Sequence, residues 1–415
     1  MLHGLAMMEQ QNHPTTHFWR EISVIFIARL WLSAGSRIVY PFLGPLSNGL
    51  GLSVEQTGAL VTLRTLAGFA APVLAPLSDT YGRRRIMAIT LTIGAVTFAM
   101  LALLPHPWVA AIAFLGLGLA LTAFGPAMYA YIGDRVPYAK RGTITGLNEL
   151  SWALAWLIGV PMSTWLITRY SWRAPWLVLA ALTVGGAVLV QRLPPPAKHA
   201  SDAHAPQAFN GRALLALWRS LWRLPTVRWL FLGAFFLSAA IETPFIVYGV
   251  WLQNLHTISL ATLGFASTFF GIAEGAAEIA SALFTDRVGK IRSVILGLLL
   301  LVGAFLALPT VAGRSLTAAV FILSLALFGF EFGIVSLLPV ASEVVPTQRA
   351  AVVGLIGMGL QMGRTMGGFL GSWLWQWEQF TIHMSAATVF AISSLFCIWR
   401  IRHAVHHWEH DEAQS

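Results

Sequence analysis

Apolar residues along this chain gather into long runs broken by short polar intervals. The runs cover 20–45, 55–77, 85–104, 107–131, 142–167 and 172–191, and, after a polar stretch, 228–252, 260–284, 292–310, 315–340, 350–376 and 381–400. Each is near or above the ~20 residues an α-helix needs to cross bilayer hydrocarbon, and longer runs fit by tilting. The pattern predicts an all-α polytopic membrane protein of twelve transmembrane helices. Its tightest connection is Pro105-His106-Pro107, a very short turn between the third and fourth spans.

Composition excludes a soluble protein of this length. The apolar class AVILMFWYC makes up 57%, charged residues only 10%, and mean hydropathy is +0.70. So few charges could not cover a water-exposed surface, whereas lipid contact removes that need. The glycines lie mostly inside the apolar runs, where small residues let helices approach closely. A single cysteine, Cys397, rules out an intrachain disulfide, and no Cys/His cluster has structural zinc spacing. No metal or organic cofactor is expected. The N-terminus (Glu9-Gln10-Gln11-Asn12) lacks the basic-then-apolar pattern of a cleaved leader, so the first apolar segment is expected to stay as a helix.

The net charge of +9 invites a nucleic-acid interpretation, but its distribution gives another. Connections alternate in charge, and 19 of the 26 Lys and Arg fall on one side. Arg83-Arg84-Arg85, Arg135, Lys140, Arg141, Arg287, Lys290, Arg292, Arg349, Arg400 and Arg402 are among them. Only Arg169, Arg173 and Arg314 fall opposite. This positive-inside bias predicts both termini in the cytoplasm; the expected location is the bacterial plasma (inner) membrane, as a multi-pass protein. The partners expected are the lipid bilayer and a small-molecule substrate, with no nucleic acid, and the protein is expected to be a monomer. The interval 192–227, with Pro194-Pro195-Pro196, reads as a cytoplasmic linker, and 211–223 alternates Leu/Trp with Arg in the manner of an interfacial amphipathic helix. The histidines of the tail, His403, His406, His407 and His410, read as incidental.

The chain repeats itself at an offset near 207. Asp79-Thr80-Tyr81-Gly82-Arg83-Arg84 follows the second span, and Asp286-Arg287-Val288-Gly289-Lys290 follows the eighth. Ala75 and Ala282 precede them at the same distance. Asp134-Arg135-Val136-Pro137 with Arg141-Gly142 corresponds to Glu343-Val344-Val345-Pro346 with Arg349-Ala350, and Gly146 and Gly159 match Gly354 and Gly367. Two six-helix halves follow: an N-terminal bundle over 1–191, the linker 192–227, a C-terminal bundle over 228–401 and a cytoplasmic tail over 402–415.

These residues resemble the major facilitator superfamily, whose signature between helices 2 and 3 is G-x-x-x-D-[RK]-x-G-[RK]-[RK]. Asp79, Gly82, Arg83 and Arg84 match it, with Ala75 for the first glycine and Thr80 for the usual basic residue. Asp286, Arg287, Gly289 and Lys290 form a nearly complete second copy, with Ala282 in the glycine position. The resemblance extends over about 20–400 and implies two pseudo-symmetric bundles working by alternating access. Details such as Arg37-Ile38-Val39-Tyr40-Pro41 and Gly275-x-x-Glu278 are similar to the drug-efflux or arabinose-efflux permease group. In the fifth span, Gly159 and Pro161 are separated, unlike the adjacent Gly-Pro of drug antiporters. On physical grounds, an Asp at a helix end, a tight glycine turn and basic residues beyond can latch neighbouring helices in one conformer. The cytoplasmic-gate candidates are therefore Asp79, Gly82, Arg83, Arg84, Asp134, Arg141, Asp286, Arg287, Gly289 and Lys290; the alternative is that the arginines only set topology.

Charged residues inside the spans must face a partner, water or cargo. They are Arg37, Arg64, Glu149, Glu242, Glu274, Glu278, Glu331 and Arg364. Arg29 lies nearer the cytoplasmic end and is set aside as snorkelling. Aligning Ser33-Ala34 with Ser238-Ala239 puts Arg37 opposite Glu242 in the repeat, as a cavity or gating pair, a fixed structural pair, or two residues not in contact. Glu274 and Glu278 share a helical face, and two such close acids disfavour simultaneous ionisation, which suits proton coupling. Alternatively, arginines such as Arg64 or Arg364 answer them. Glu331 stands mid-helix among phenylalanines, and Glu149 either faces the cavity or joins Asp134 and Arg141. Tyr40, Tyr129, Trp152, Trp156, Tyr248 and Trp251 offer aromatic faces that suit a hydrophobic cation.

No nucleotide loop, HExxH or nucleophile triad is present, so the chain is not expected to be an enzyme. The residues point first to proton-coupled export of a small hydrophobic or cationic compound. A transporter of a sugar, metabolite or organic anion is the second possibility, and a non-transporting membrane sensor or lipid scramblase the third.

Overall fold

The computed structural model describes residues 16–74, 77–136, 138–194, 211–345 and 348–412; side chains are described except at 16–18, 72, 138–143, 211–215, 350 and 403–412. Every regular element among the described residues is helical. The first half contains α1 (Thr16–Arg37), α2 (Leu43–Leu50), α3 (Val54–Leu66), α4 (Ala71–Leu74), α5 (Leu77–Tyr81), α6 (Arg83–Leu103), α7 (Pro107–Arg135), α8 (Tyr138–Leu154), α9 (Val160–Arg169) and α10 (Ala174–Gln191). The second contains α11 (Gly211–Trp222), α12 (Pro225–Phe245), α13 (Tyr248–His256), α14 (Leu260–Val288), α15 (Lys290–Val311), α16 (Leu316–Glu343), α17 (Arg349–Leu374) and α18 (Phe380–Glu412).

Among the described residues, nine helices are long and apolar enough to cross a membrane. They correspond to nine of the twelve predicted spans. The other three predicted spans, 20–45, 55–77 and 350–376, are not among these nine. The first becomes α1 and α2, with turns at 38–42 between them. The second breaks into α3, a 3₁₀ turn at Ala67–Ala70 and α4, around prolines that interrupt helical hydrogen bonding. The eleventh stays continuous as α17 but carries Gln361 and Arg364. The three segments have in common that they hold the interior arginines Arg29, Arg37, Arg64 and Arg364.

Helices pack chiefly within their own half. α6 packs against α7 and α10, α1 against α10, and α3 against α7; in the second half α12 packs against α17 and α18, α15 against α16 and α18, and α14 against α16. Across the halves, α3 meets α17 and α9 meets α14. The repeat recurs in this packing. A Cβ on Gly159 would lie 2.7 Å from Ala34, and one on Gly367 would lie 2.6 Å from the Ala239 carbonyl, so equivalent glycines admit equivalent neighbours. Gly82 and Gly289 also share a backbone conformation, φ 92° and 97° with ψ 134° at both, which side-chain-bearing residues rarely adopt. Large side chains such as Ile112, Phe265, Phe321 and Val389 are exposed, an outer surface suited to hydrocarbon rather than water.

The expected tight turn is present: α6 ends at Leu103, α7 begins at Pro107, and the His106 ring accepts from the Trp108 N–H at 3.3 Å. The expected helix near 211–223 is α11, with Leu221 buried and the Trp222 ring edge-on to Phe231 at 5.0 Å. Most of the rest of the linker, together with Ala75, Pro137 and Pro346, lies outside the described residues, as do the side chains of His403, His406, His407 and His410.

Candidate functional site

The charged side chains collect where the halves meet. Arg37 ends α1, and its Nη2 lies 2.5 Å from Oε1 of Glu274 on α14. The other oxygen of Glu274 accepts from Trp156 Nε1 at 3.0 Å. Trp156 sits in a π-helical turn, Ala155–Gly159, which interrupts the helix between α8 and α9; such turns re-aim side chains. The Arg37 guanidinium also lies over Trp152 and Trp156, 5.0 and 5.4 Å from their ring centres. Thus one carboxylate of the second half is held by a cation and an indole of the first.

Glu242 on α12 is held in parallel fashion. Tyr40 donates to its Oε1 at 2.8 Å, Arg64 lies 3.8 Å from the same oxygen, and Arg364 lies 3.8 Å from Oε2. Arg64 donates to the Ser36 carbonyl at 2.6 Å and stacks over Tyr40, which fixes it. A neighbouring polar bridge joins Thr65 and Thr365 at 2.8 Å. The expected Arg37–Glu242 pairing is therefore corrected. Both residues occupy the interface between halves, but Arg37 takes Glu274 and leaves Glu242 to Arg64 and Arg364. Repeat equivalence matches positions along two chain halves; it does not force matched residues to touch.

Glu149 does not join Asp134, which pairs with Arg83 instead. Glu149 pairs within the first half, receiving both guanidinium nitrogens of Arg29 at 2.7 and 2.8 Å, with Tyr129 donating as well. Arg29 is 6% exposed, so it is a buried partner and not a snorkelling one. The signal that sequence reasoning passes over is depth. Nine residues beyond Arg20 at about 1.5 Å each is about 13 Å into the helix. The side chain of Arg141 is not described, so its predicted part in this network falls outside the structure.

Glu278 and Glu331 differ from the other three acids. Both are half-buried, and among the described residues neither makes a hydrogen bond or ion pair. Their charged surroundings overlap: Glu274 and Arg37 act on both, and Arg364 also acts on Glu331. Of the alternatives weighed for the Glu274–Glu278 face, an arginine answers Glu274 alone. The aromatic set divides likewise, with Tyr40, Tyr129, Trp152 and Trp156 around the charges. Tyr248 bonds Ser267 at 2.9 Å, and Trp251 stacks on Phe380 at 3.8 Å.

The repeated motif forms ion pairs that remain inside each half. Arg83 pairs with Asp79 and reaches Asp134 at 3.4 Å, while Arg84 donates to the Leu193 carbonyl at 2.6 Å. In the second half Lys290 pairs with Glu343. Arg83–Asp134 and Lys290–Glu343 join equivalent positions of the repeat. Gly82 and Gly289 supply the turn before each basic residue, whereas Asp286 and Arg287 are exposed. Sequence reasoning missed Glu21, which binds Arg135 at 3.1 Å and accepts from Tyr131 at 3.0 Å.

An all-α fold with nine helices, among the described residues, long and apolar enough to cross a membrane, and with buried ion pairs linking its earlier helices to its later ones, is that of a polytopic membrane protein. The sequence pattern of the Major Facilitator Superfamily matches residues 25–255 and 230–415, and the chain belongs to that family. It is thus a multi-pass membrane transporter of the secondary-active, alternating-access type, not an enzyme. An uncharacterized MFS-type transporter of Bacillus subtilis strain 168, YceJ, is 22% identical over 90% of this chain and 92% of its own. The fold is similar to that of a point mutant of the nucleoside transporter NupG, with TM-score 0.72, 18% identity and coverage of 92% of this chain and 98% of NupG. It is also similar to the human organic anion transporter MFSD10, with TM-score 0.70, 19% identity and coverage of 91% and 99%.

Proposed function

We propose that this protein is a proton-coupled exporter of a small hydrophobic or cationic compound, with Glu278 and Glu331 as the proton-carrying acids. One observation carries this. Glu149, Glu242 and Glu274 are each answered by an arginine, while Glu278 and Glu331 stand half-buried without one. An unpaired carboxylate inside a membrane protein is poised to exchange a proton or meet a cation. Arg37 and Arg29 already lie over Trp152, Trp156 and Tyr129, so these rings accept a cation; of them Tyr129 is exposed.

The nine apolar helices and the three arginine-bearing segments together support twelve crossings in two six-helix bundles, 1–191 and 228–401, with linker 192–227 and tail 402–415 in the bacterial cytoplasm. The Arg37–Glu274 and Tyr40–Glu242 bridges hold the halves together at mid-depth and break in the opposite conformer. The Arg83–Asp134 and Lys290–Glu343 pairs stiffen each half at the cytoplasmic end, so the rocking bodies stay rigid. The protein works as a monomer in the lipid bilayer and does not bind nucleic acid.

The test is proton flux in proteoliposomes carrying an imposed inward proton gradient, with internal pH followed as a panel of cations, sugars and carboxylates is added. A compound-dependent flux that Glu278→Gln or Glu331→Gln abolishes supports the proposal. A flux unchanged by both substitutions, or facilitated transport without proton movement, overturns it.

Arg364 favours a second substrate class, an organic anion. Its side chain is 26% exposed, against 10% for Arg37 and 5% for Arg64, and its sole carboxylate contact among the described residues is a long 3.8 Å. In that case carboxylates rather than cations drive the flux, and Arg364→Gln removes it.

A further inference from the structure

Four arginines and five glutamates lie more than one turn inside the apolar runs, and no Asp or Lys does. Ion pairs account for most of this charge. Arg29 is held by Glu149 and Arg37 by Glu274, while Arg64 and Arg364 both approach Glu242. Four cations thus meet three acids, which leaves one arginine charge to balance the two carboxylates of Glu278 and Glu331. With every group ionised, the interior ends one negative charge in excess.

The two remaining acids belong to one electrostatic centre. Glu274 and Arg37 act on both, Glu278 and Arg364 act on Glu331, and Arg29 and Glu149 act on Glu278. The packing of α14 against α8 and α9 explains how a residue of the first half comes to act on Glu278. These elements run antiparallel. Gly264 lies against Thr164 and Gly271 against Ala153 and Trp156, and a Cβ on Gly275 would lie 3.6 Å from that of Ala153. One turn further along each helix come Glu278 and Glu149, so a carboxylate from each half stands at the same level of the interface. Arg29 answers only Glu149. This part of the interface is accessible: the Glu149 side chain is 33% exposed, Glu278 is half-buried and Tyr129 is exposed.

An uncompensated carboxylate is costly in an apolar interior, and one bound proton or one monovalent cation removes the excess. Two protons, a proton together with a cation, or a single dication each leave a positive charge over. Interacting acids therefore take up their protons in separate steps, and here the first step is the one that brings the interior to neutrality.

We infer that this centre exchanges one proton for one monovalent cation, the two competing for the single carboxylate charge that Glu278 and Glu331 hold in excess. The inference rests on the cation-export reading above and adds to it the valence of the cargo and the stoichiometry. As the cation enters, the proton leaves a carboxyl oxygen of Glu278 or Glu331 for bulk water, and the interior is neutral in both loaded states. A full exchange then moves no net charge across the bilayer.

The experiment uses the full chain in non-ionic detergent. Tetraphenylphosphonium, a monovalent hydrophobic cation, is titrated in weakly buffered neutral solution while bound cation and released protons are counted together. The expected result is one proton released per cation bound, with affinity falling about tenfold per pH unit once the centre is protonated. A bis-phosphonium dication with the same aryl groups binds more weakly. Arg364→Gln removes one interior cation and reverses that preference: the dication binds more tightly and displaces two protons. Glu278→Gln balances the interior without a proton and loses the release, which keeps the inference testable if Arg364→Gln fails to fold. Release of no proton or of two by tetraphenylphosphonium from the unaltered chain overturns the inference and leaves the export reading standing, as does unchanged release from Glu278→Gln. Absence of tetraphenylphosphonium binding in both acidic and alkaline solution overturns the cation reading and the inference together.

Discussion

Arg37 illustrates how an ionised side chain is tolerated in an apolar interior. Its charge meets Glu274, its faces meet Trp152 and Trp156, and the remaining oxygen of Glu274 is taken by Trp156. Removing one member strands the other, at a cost of about 3–5 kcal/mol, whereas replacing both with apolar groups is close to neutral. Thermal unfolding in detergent should therefore show Arg37→Met strongly destabilised and Arg37→Met/Glu274→Leu largely recovered. Equal destabilisation of the single and double variants would mean that the pair is not the buried unit described. The sequence makes the charged residues themselves legible, because they interrupt apolar runs. It does not reveal who pairs with whom. Glu274 and Glu278 look alike in sequence, one turn apart on one helix, and only the rotation of α14 against α1 and the π turn gives one an arginine and leaves the other without. Arg29 is misread from sequence for the same reason, since snorkelling and inward burial share a sequence position.

Among the elements, the nine helices legible from hydropathy include those that carry the acids Glu242, Glu274, Glu278 and Glu331, and the three segments that depart from the pattern carry the interior arginines. α1, α3 and α17 are less apolar because they bring arginines inward, and each needs neighbours close enough to shield them. At Gly363 on α17 a Cβ would collide with the Phe235 carbonyl of α12. Gly363→Ala is expected to push these helices apart and destabilise the protein by about 1–3 kcal/mol, measured as a fall in melting temperature. The glycines of the repeated motif act differently. Nothing lies within 4 Å of a Cβ on Gly82, but its φ of 92° is strained for other residues. Gly82→Ala should destabilise by about 1–3 kcal/mol through the backbone alone. The repeat predicts a similar cost for Gly289→Ala. A neutral effect at both would show that the turn can relax. The motif is readable because spacing and residue type are local; its ion-pair partners Asp134 and Glu343, some fifty residues on, are readable only through the repeat.

On the scale of the whole molecule, the ion pairs divide by location. Those at the motif ends stay within a half, and those at Arg37, Arg64 and Arg364 bind to acids of the second half, two of these arginines reaching across from the first. Carboxylates of the second half thus hold the first half in its present position. A conformational cycle has to exchange these bonds, and weakening them should shift the population between conformers. The direct measurement is an electron-electron spin distance between labels at Tyr81→Cys and Arg287→Cys, both exposed at the two copies of the motif, in a Cys397→Ser background. Two distance populations are expected, with Glu274→Gln moving weight away from the one that matches the present conformer as the Arg37 bridge is lost. A single distance that neither Glu274→Gln nor added substrate changes would contradict it.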